Sequence, residues 1–435
     1  MKAPWLHRVG QHLRLLRHEP DRFGFNLLQF LNPARLQDQL LDMLQAPTLQ
    51  VLLDPALRSV PTLNVLQPSL SAAVMTGGPN TVVNLALWIA HCGLPVRIVT
   101  AAAVSPAQLH WFHEHAATLT GLKPPPTLSV VCGADPAKPL SLGPADMFMA
   151  THWTTAQQIK AVLPAMEVKR FFYLIQDFEP GFYPWSSNYA LALQTYGLDH
   201  IGVFNQSLLQ AYFVSEAVGL YADAQHAANS LVFEPAVDRT LFYPCRAPGA
   251  RAKRRLLFYA RPGNPRNLLG LGLAALRTAL SHAVFQEQEW EFRAIGGNNS
   301  LPPVALGPGH VLQPAPWMDY CAYAALLRGS DILLCPMLSA HTSYPVLEMA
   351  ACGGLVVTNT FGSKTAQRLQ ELSANIVAVP ATQEALAHAL VAAALRLRMG
   401  TSTLDGVKLP ADWKTALQPT ALQVVQRFGQ QTGAL

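Results

Sequence analysis

The chain has 435 residues, half of them apolar and only 13% charged, which excludes a largely disordered protein and leaves room for two hydrophobic cores. Its formal net charge of +5 suits a handler of anionic ligands or a neighbour of anionic lipid, and is too diffuse to point to nucleic acid. Six cysteines without a C-x-x-C pair or zinc-like spacing read as buried thiols of a reducing compartment, and no His/Cys cluster has metal-ligand spacing.

Residues 1–58 read as an N-terminal helical extension, with RLQDQLLDML its clearest helical pattern. The first stretch, MKAPWLHRVGQHLRLLRHEP, carries charges where a signal peptide needs an apolar segment, so a cytoplasmic location is expected. Arg8, Arg14 and Arg17 beside Leu13, Leu15 and Leu16 either form a basic helix lying on the inner membrane surface or pack on the protein's own body. No apolar run reaches the roughly 18 residues needed to span a bilayer.

Residues 59–245 open with strand, glycine turn, helix and strand: Asn64-Val65-Leu66, TGGPN, TVVNLALWIAHCG, then Pro95 to Thr100. That order is the start of a Rossmann-like α/β sheet. Gly77 and Gly78 let backbone approach a ligand or simply make a tight turn, and the G-x-G-x-x-G spacing of a dinucleotide site is absent. In ADMFMATHWTTAQQIKAVL a strand leads through a polar turn to a helix capped by Thr151 or Thr154. His152 then stands at a strand's carboxyl end, where ligands of open α/β sheets collect. Strand Phe171 to Ile175 is followed by Asp177, Glu179, Phe178, Phe182, Tyr183 and Trp185, carboxylates and aromatic faces that suit sugar rings or ordinary packing. Asp177 is the candidate acceptor-side polar residue.

CRAPGARAKRR reads as a linker, and residues 246–411 as a second domain of the same kind. Strand Leu256 to Ala260 leads to Arg261, two prolines, and Arg266-Asn267 at the opening of a helix. EWEFRAIGGNN is a strand and glycine turn, in which Gly296 and Gly297 leave room beside the backbone. LSAHTSYPVLEMAACGGLVVT, residues 338–358, divides into a polar loop, a helix with Pro345 in its first turn and Thr342 or Ser343 as cap, a Gly353-Gly354 stop, and a buried strand. Free amides at the helix start attract phosphate. Tyr344 and Glu348 share one face just inside it, where the carboxylate can accept hydrogen bonds from sugar or ribose hydroxyls. Phosphate-attracting amides beside such a carboxylate point to a nucleotide sugar. Lys364 and Asn359 lie near the same sheet edge, Lys364 as a second cation.

The 338–358 window resembles the donor-site signature of retaining family 4 glycosyltransferases, in which two carboxylates are separated by seven residues. Glu348 matches the second, and Ala340 stands at the first. HTSYPVLEMA, QDFEP…YP and the Arg266-Asn267 pair resemble most closely the WsaF-type rhamnosyltransferases of bacterial surface-polysaccharide synthesis. The resemblance implies an α/β GT-B fold: two Rossmann-like domains facing a cleft, the first completed by a C-terminal helix at 412–430. By the same resemblance Arg261 grips the donor pyrophosphate, Gly77 and Gly78 face the cleft, and Gly296 and Gly297 border the nucleotide base. Trp317 stands where related sequences often carry a lysine.

The implied activity is rhamnosyl transfer from dTDP-L-rhamnose to a hydroxyl of a glycan or lipid-linked glycan, with retention of anomeric configuration. No D-x-D motif stands where a metal–diphosphate complex would need it, so no metal or other cofactor is expected, and arginines and helix-end amides would stabilise the leaving group. Glu348, Arg261, His152 and Asp177 are the candidate catalytic residues. Two alternatives share the architecture: a nucleotide-sugar 2-epimerase, and a catalytically degenerate nucleotide-sugar-binding partner of another transferase, favoured by Ala340 and Trp317.

Overall fold

Strands buried on both faces read as continuous apolar runs, and this chain supplies them at regular intervals between small-residue helices. The computed structural model describes residues 48–71, 75–245, 253–287, 289–297, 301–400 and 406–433. Among these, one sheet places strands Leu128–Cys132, Val96–Thr100, Leu63–Leu66, Met147–Ala150, Phe171–Ile175, His200–Asn205 and Leu231–Phe233 side by side, all parallel. The second sheet runs Val304–Gly307, His310–Pro314, Trp290–Ile295, Arg254–Tyr259, Ile332–Leu334, Leu355–Asn359 and Ile376–Val379, parallel except for the edge hairpin Val304–Gly307/His310–Pro314.

Each sheet carries helices and apolar side chains on both faces, the doubly wound arrangement in which ligands bind beyond the carboxyl ends of the strands. Helix Trp413–Thr432, which follows the second sheet in the chain, returns to the first. Its Leu417, Ala421, Val424 and Phe428 are buried in the same cluster as Val82, Leu85 and Ile89 of helix Gly77–His91. Among the described residues no helix is long and apolar enough to cross a membrane.

Several local expectations need correction. Residues 51–58 are not α-helical: Val51–Leu53 pairs in parallel with Leu140–Leu142, and Pro55–Ser59 is a short 3-10 helix capped by Asp54. The RLQDQLLDML pattern, the basic N-terminal segment and the 246–252 stretch of the linker lie outside the described residues. TGGPN is not a free loop, because Gly77 and Gly78 are the first two residues of helix Gly77–His91. Arg266 and Asn267 belong to a 3-10 turn, Pro265–Asn267, and the helix opens only at Leu269, after Leu268 takes a left-handed conformation.

Candidate active site

The carboxyl edges of the two sheets meet, and the residues singled out in the sequence fall mostly on that seam. Tyr344 opens helix Tyr344–Ala351 in the second lobe and reaches into the first. Its hydroxyl lies 2.7 Å from Thr81 Oγ1 and accepts a hydrogen bond of 2.9 Å from Asn205 Nδ2. Thr81 already donates its proton to the Gly77 carbonyl, so the phenol is the donor to Thr81. A Cβ at Gly77 would come within 2.8 Å of the Tyr344 ring; that glycine is required by the approach of the ring. Gly78 lies against the side-chain amide of Gln176.

The loop preceding the helix is fixed from across the seam. Gln206, at the carboxyl end of strand His200–Asn205 and with a positive φ of 93°, accepts at Oε1 from the Thr342 amide (3.0 Å) and hydroxyl (2.9 Å). Neither Thr342 nor Ser343 caps the helix through its side chain, contrary to expectation. Ser343 is at the N-cap position with φ 72° and makes no side-chain cap bond; its own amide donates to His341 Nδ1, Pro345 carries no N–H, and the Val346 amide donates to the Ser343 carbonyl.

Asp177 and Arg266 form an ion pair across the seam, both nearly enclosed. Ser339 Oγ donates to the same carboxylate at 2.5 Å, and the guanidinium also lies over the Phe182 ring, 4.6 Å from its centroid. Thus Arg266, expected to hold a donor phosphate, and Asp177, expected on the acceptor side, hold one another. Asn267 is buried beside them with neither amide atom paired among the described residues.

Glu348 lies one turn into the helix and is buried. It accepts from Tyr320 Oη at 3.1 Å and Tyr323 Oη at 2.9 Å. Burial pushes its carboxyl up to about 7, against the pull of the two phenol donors. Burial raises the pKa of the Tyr259 hydroxyl, against the nearby positive charges of Arg261 and Arg266, so both arginines lie close to Tyr259. Gly296, at φ 89°, leaves space that the Tyr259 ring fills, since a Cβ there would sit 2.5 Å from it. Gly297 follows in the same turn.

His152, not Thr151 or Thr154, caps helix Trp153–Val162, with Nδ1 2.8 Å from Thr154 Oγ1 and the Thr155 hydroxyl closing the box. Its ring lies parallel to Phe182 at 6.5 Å, and burial lowers its pKa to about 4, so it is neutral at pH 7. Glu179 accepts from the Trp153 amide at 2.6 Å, and burial, with the nearby charge of Asp177, pushes it up to about 8. Lys364 is fully enclosed and donates to the Met337 carbonyl at 3.0 Å, which makes it a strut of the Met337–Ser343 loop; burial lowers its pKa to about 8. Asn359 supports the same loop by accepting from the Met337 amide. Trp317 is 61% exposed. Sequence reasoning missed Thr81, Asn205, Gln206, Ser339, His341, Tyr320 and Tyr323; the Asn-Gln pair at the carboxyl end of a strand was the one local signal for them.

Comparison with known proteins gives this geometry a lineage. The family model for the N-terminal domain of WsaF matches residues 62–207 and that for its C-terminal domain matches residues 254–391, together about two-thirds of the chain. The O-antigen biosynthesis protein RfbC of Myxococcus xanthus is 37% identical over 272 residues, 60% of this chain and 19% of that protein; the chain thus spans about a fifth of the length of the curated relative it matches. Among solved structures, sucrose-phosphate synthase from Thermosynechococcus elongatus superposes with a TM-score of 0.53 at 13% identity, covering 86% of this chain and 100% of the other. The catalytic domain of starch synthase IV from Arabidopsis thaliana, bound to ADP and acarbose, gives 0.51 at 10%, covering 86% and 100%. At such identities the likeness is one of fold, and the fold is GT-B.

Proposed function

This chain belongs to the WsaF family of glycosyltransferases, and from that premise we propose that it moves L-rhamnose from dTDP-L-rhamnose onto a hydroxyl of a bacterial surface polysaccharide. The reading includes retention of anomeric configuration and no metal. The O-antigen role of the related RfbC supports the polysaccharide class. The single observation that carries the reading is the seam itself: an arginine, the positive end of a helix and a carboxylate that accepts from two hydroxyls come to it from the second sheet, and an aspartate meets the arginine from the first. In this reading residues 59–245 with the helix at 412–430 take the acceptor, and residues 246–411 take the donor.

The work divides by chemistry. Arg266 and the start of helix Tyr344–Ala351 receive the diphosphate, and their fixed positive potential stabilises the charge that develops as the sugar departs. The diphosphate competes with Asp177 for Arg266, which releases Asp177 toward the acceptor hydroxyl. Glu348, held by Tyr320 and Tyr323, accepts from the ribose hydroxyls. Arg261 adds positive charge close to Tyr259. His152 stays neutral and orients the sugar by hydrogen bonding. The acceptor oxygen forms its bond to the anomeric carbon on the face from which the diphosphate leaves; the sugar–phosphate bond breaks, and a departing phosphate oxygen takes the acceptor's proton.

The test is release of dTDP from dTDP-L-rhamnose by purified protein, with and without EDTA. Turnover resistant to EDTA and lost in Arg266→Ala and Glu348→Ala is expected; turnover unchanged by either substitution overturns the assignments. A second reading, a non-catalytic nucleotide-sugar binder assisting another transferase, is favoured by one observation: Ala340 is fully buried in the apolar cluster with Tyr196, Phe204 and Phe213. dTDP-L-rhamnose bound without any turnover would support it. The cytoplasmic and membrane-surface location stays part of the proposal, tested by whether the protein sediments with anionic vesicles.

A further inference from the structure

Buried polar atoms without partners are costly, about 1–3 kcal/mol each, and among the described residues several of them stand at the facing sheet edges while others are scattered through the fold. Gln176, Asn205, Gln206, Arg266, Asn267 and His341 each carry at least one such atom among the described residues, and each stands at the carboxyl edge of one of the two sheets. Two of them define their proton positions. His341 Nδ1 accepts from the Ser343 amide at 3.0 Å, so the ring proton is on Nε2, which has no partner. Gln206 uses Oε1 twice on Thr342, so its free Nε2 is a donor as well. Both side chains are enclosed and held on neighbouring residues of one loop. Burial lowers the His341 pKa to about 4, so the ring offers a neutral N–H across the working pH range.

We propose that His341, with Gln206 beside it, is a specificity-determining residue that donates hydrogen bonds to hydroxyl oxygens of the donor's sugar ring. This role presupposes that the seam binds a nucleotide sugar. Charge balance favours the sugar over the diphosphate: the guanidinium of Arg266 is the group suited to phosphate, whereas neutral, fully desolvated N–H donors match uncharged hydroxyls. A site built to bond a hydroxyl rejects an analogue that lacks it, because the buried donors are then left unpaired. Ala340, next to His341, carries no polar side chain, so the loop addresses the sugar with donors at His341 and not with a carboxylate.

Calorimetry with dTDP and with dTDP-L-rhamnose tests this on the full chain, using His341→Phe and His341→Gln. His341→Phe removes the donor and keeps a ring; His341→Gln restores an N–H at the position of Nε2. The expected result is roughly tenfold weaker binding of dTDP-L-rhamnose by His341→Phe, recovery of most of that loss in His341→Gln, and unchanged dTDP binding in both. Retained dTDP binding also certifies that the variants are folded. Equal weakening of both ligands would overturn the proposal in favour of a phosphate or structural role, and so would unaltered binding of the sugar nucleotide by His341→Phe. Wild-type protein that binds dTDP but gains nothing from the sugar overturns it too. Wild-type protein that binds neither ligand removes the nucleotide-sugar reading itself, a different failure from that of His341.

Discussion

Glu348 and Asp177 are both carboxylates buried at the same seam, and they are held in opposite ways. Glu348 takes both of its hydrogen bonds from Tyr320 and Tyr323, which belong to its own lobe. Asp177 accepts one hydrogen bond from the adjacent Phe178 amide, and its side-chain partners Arg266 and Ser339 belong to the other lobe. The first site therefore keeps its geometry when the lobes part, while the second exists only when they meet. The partners differ in kind as well: two neutral phenols do not offset the burial of Glu348, whereas a guanidinium stands directly against Asp177.

Breaking the cross-lobe pair has the largest expected effect. Arg266→Ala leaves a buried aspartate with no cation, held only by the Ser339 hydroxyl and the Phe178 amide, and about 3–5 kcal/mol of stability is lost, measured as a shift of the urea midpoint. The own-lobe carboxylate is tested next by pH. Its folded pKa is raised above 4.5, so the native state binds more protons than the unfolded chain, and its contribution to stability falls as pH rises from 4.5 through about 7. Glu348→Gln removes that slope, on the order of 3 kcal/mol over the window. Nucleotide binding moves the other way, strengthening as pH rises through about 7 because only the carboxylate accepts twice from a ribose. Wild-type affinity that is flat in pH contradicts the assignment.

Smaller changes sharpen the contrast. Tyr344→Phe deletes a hydroxyl bonded to both Thr81 and Asn205 and is expected to lower stability by about 1–2 kcal/mol and to widen the lobe separation seen by small-angle scattering. Tyr323→Phe, a change within one lobe, lowers stability by about 1 kcal/mol without altering that separation. Trp317→Lys, at an exposed position, changes stability by less than about 0.5 kcal/mol, read from the same urea titration.

Most of the fold was legible in the sequence because strands such as Phe171–Ile175 and Leu355–Asn359 are buried on both faces and therefore read as unbroken apolar runs. Tyr344, Glu348, Asp177 and Arg266 were legible from spacing and resemblance, and the structure brings Asp177, Arg266 and Tyr344 to one seam. The contacts that organise them were not. Thr81 and Tyr344 lie 263 residues apart, a separation at which no local pattern exists. Gln206 serves the loop through a positive φ that nothing in its neighbours announces. His152 was noticed for chemistry while its first task is to cap a helix, because an imidazole acceptor is an unusual substitute for serine or aspartate. Lys364 was read as a second cation at the sheet edge, and its enclosure became visible only once Met337 and Asn359 were seen around it.

Helix Trp413–Thr432 bears on how the protein comes into being during synthesis. The hydrophobic interior of the first sheet contains Leu417, Val424 and Phe428, which the ribosome supplies only after the whole of the second sheet has been made. The later lobe is thus equipped to reach its native state sooner than the earlier one, and the nascent first sheet waits with an apolar face uncovered. Removal of residues 412–433 should accordingly expose that face to proteases and to hydrophobic dyes, while the second sheet remains protected in hydrogen exchange.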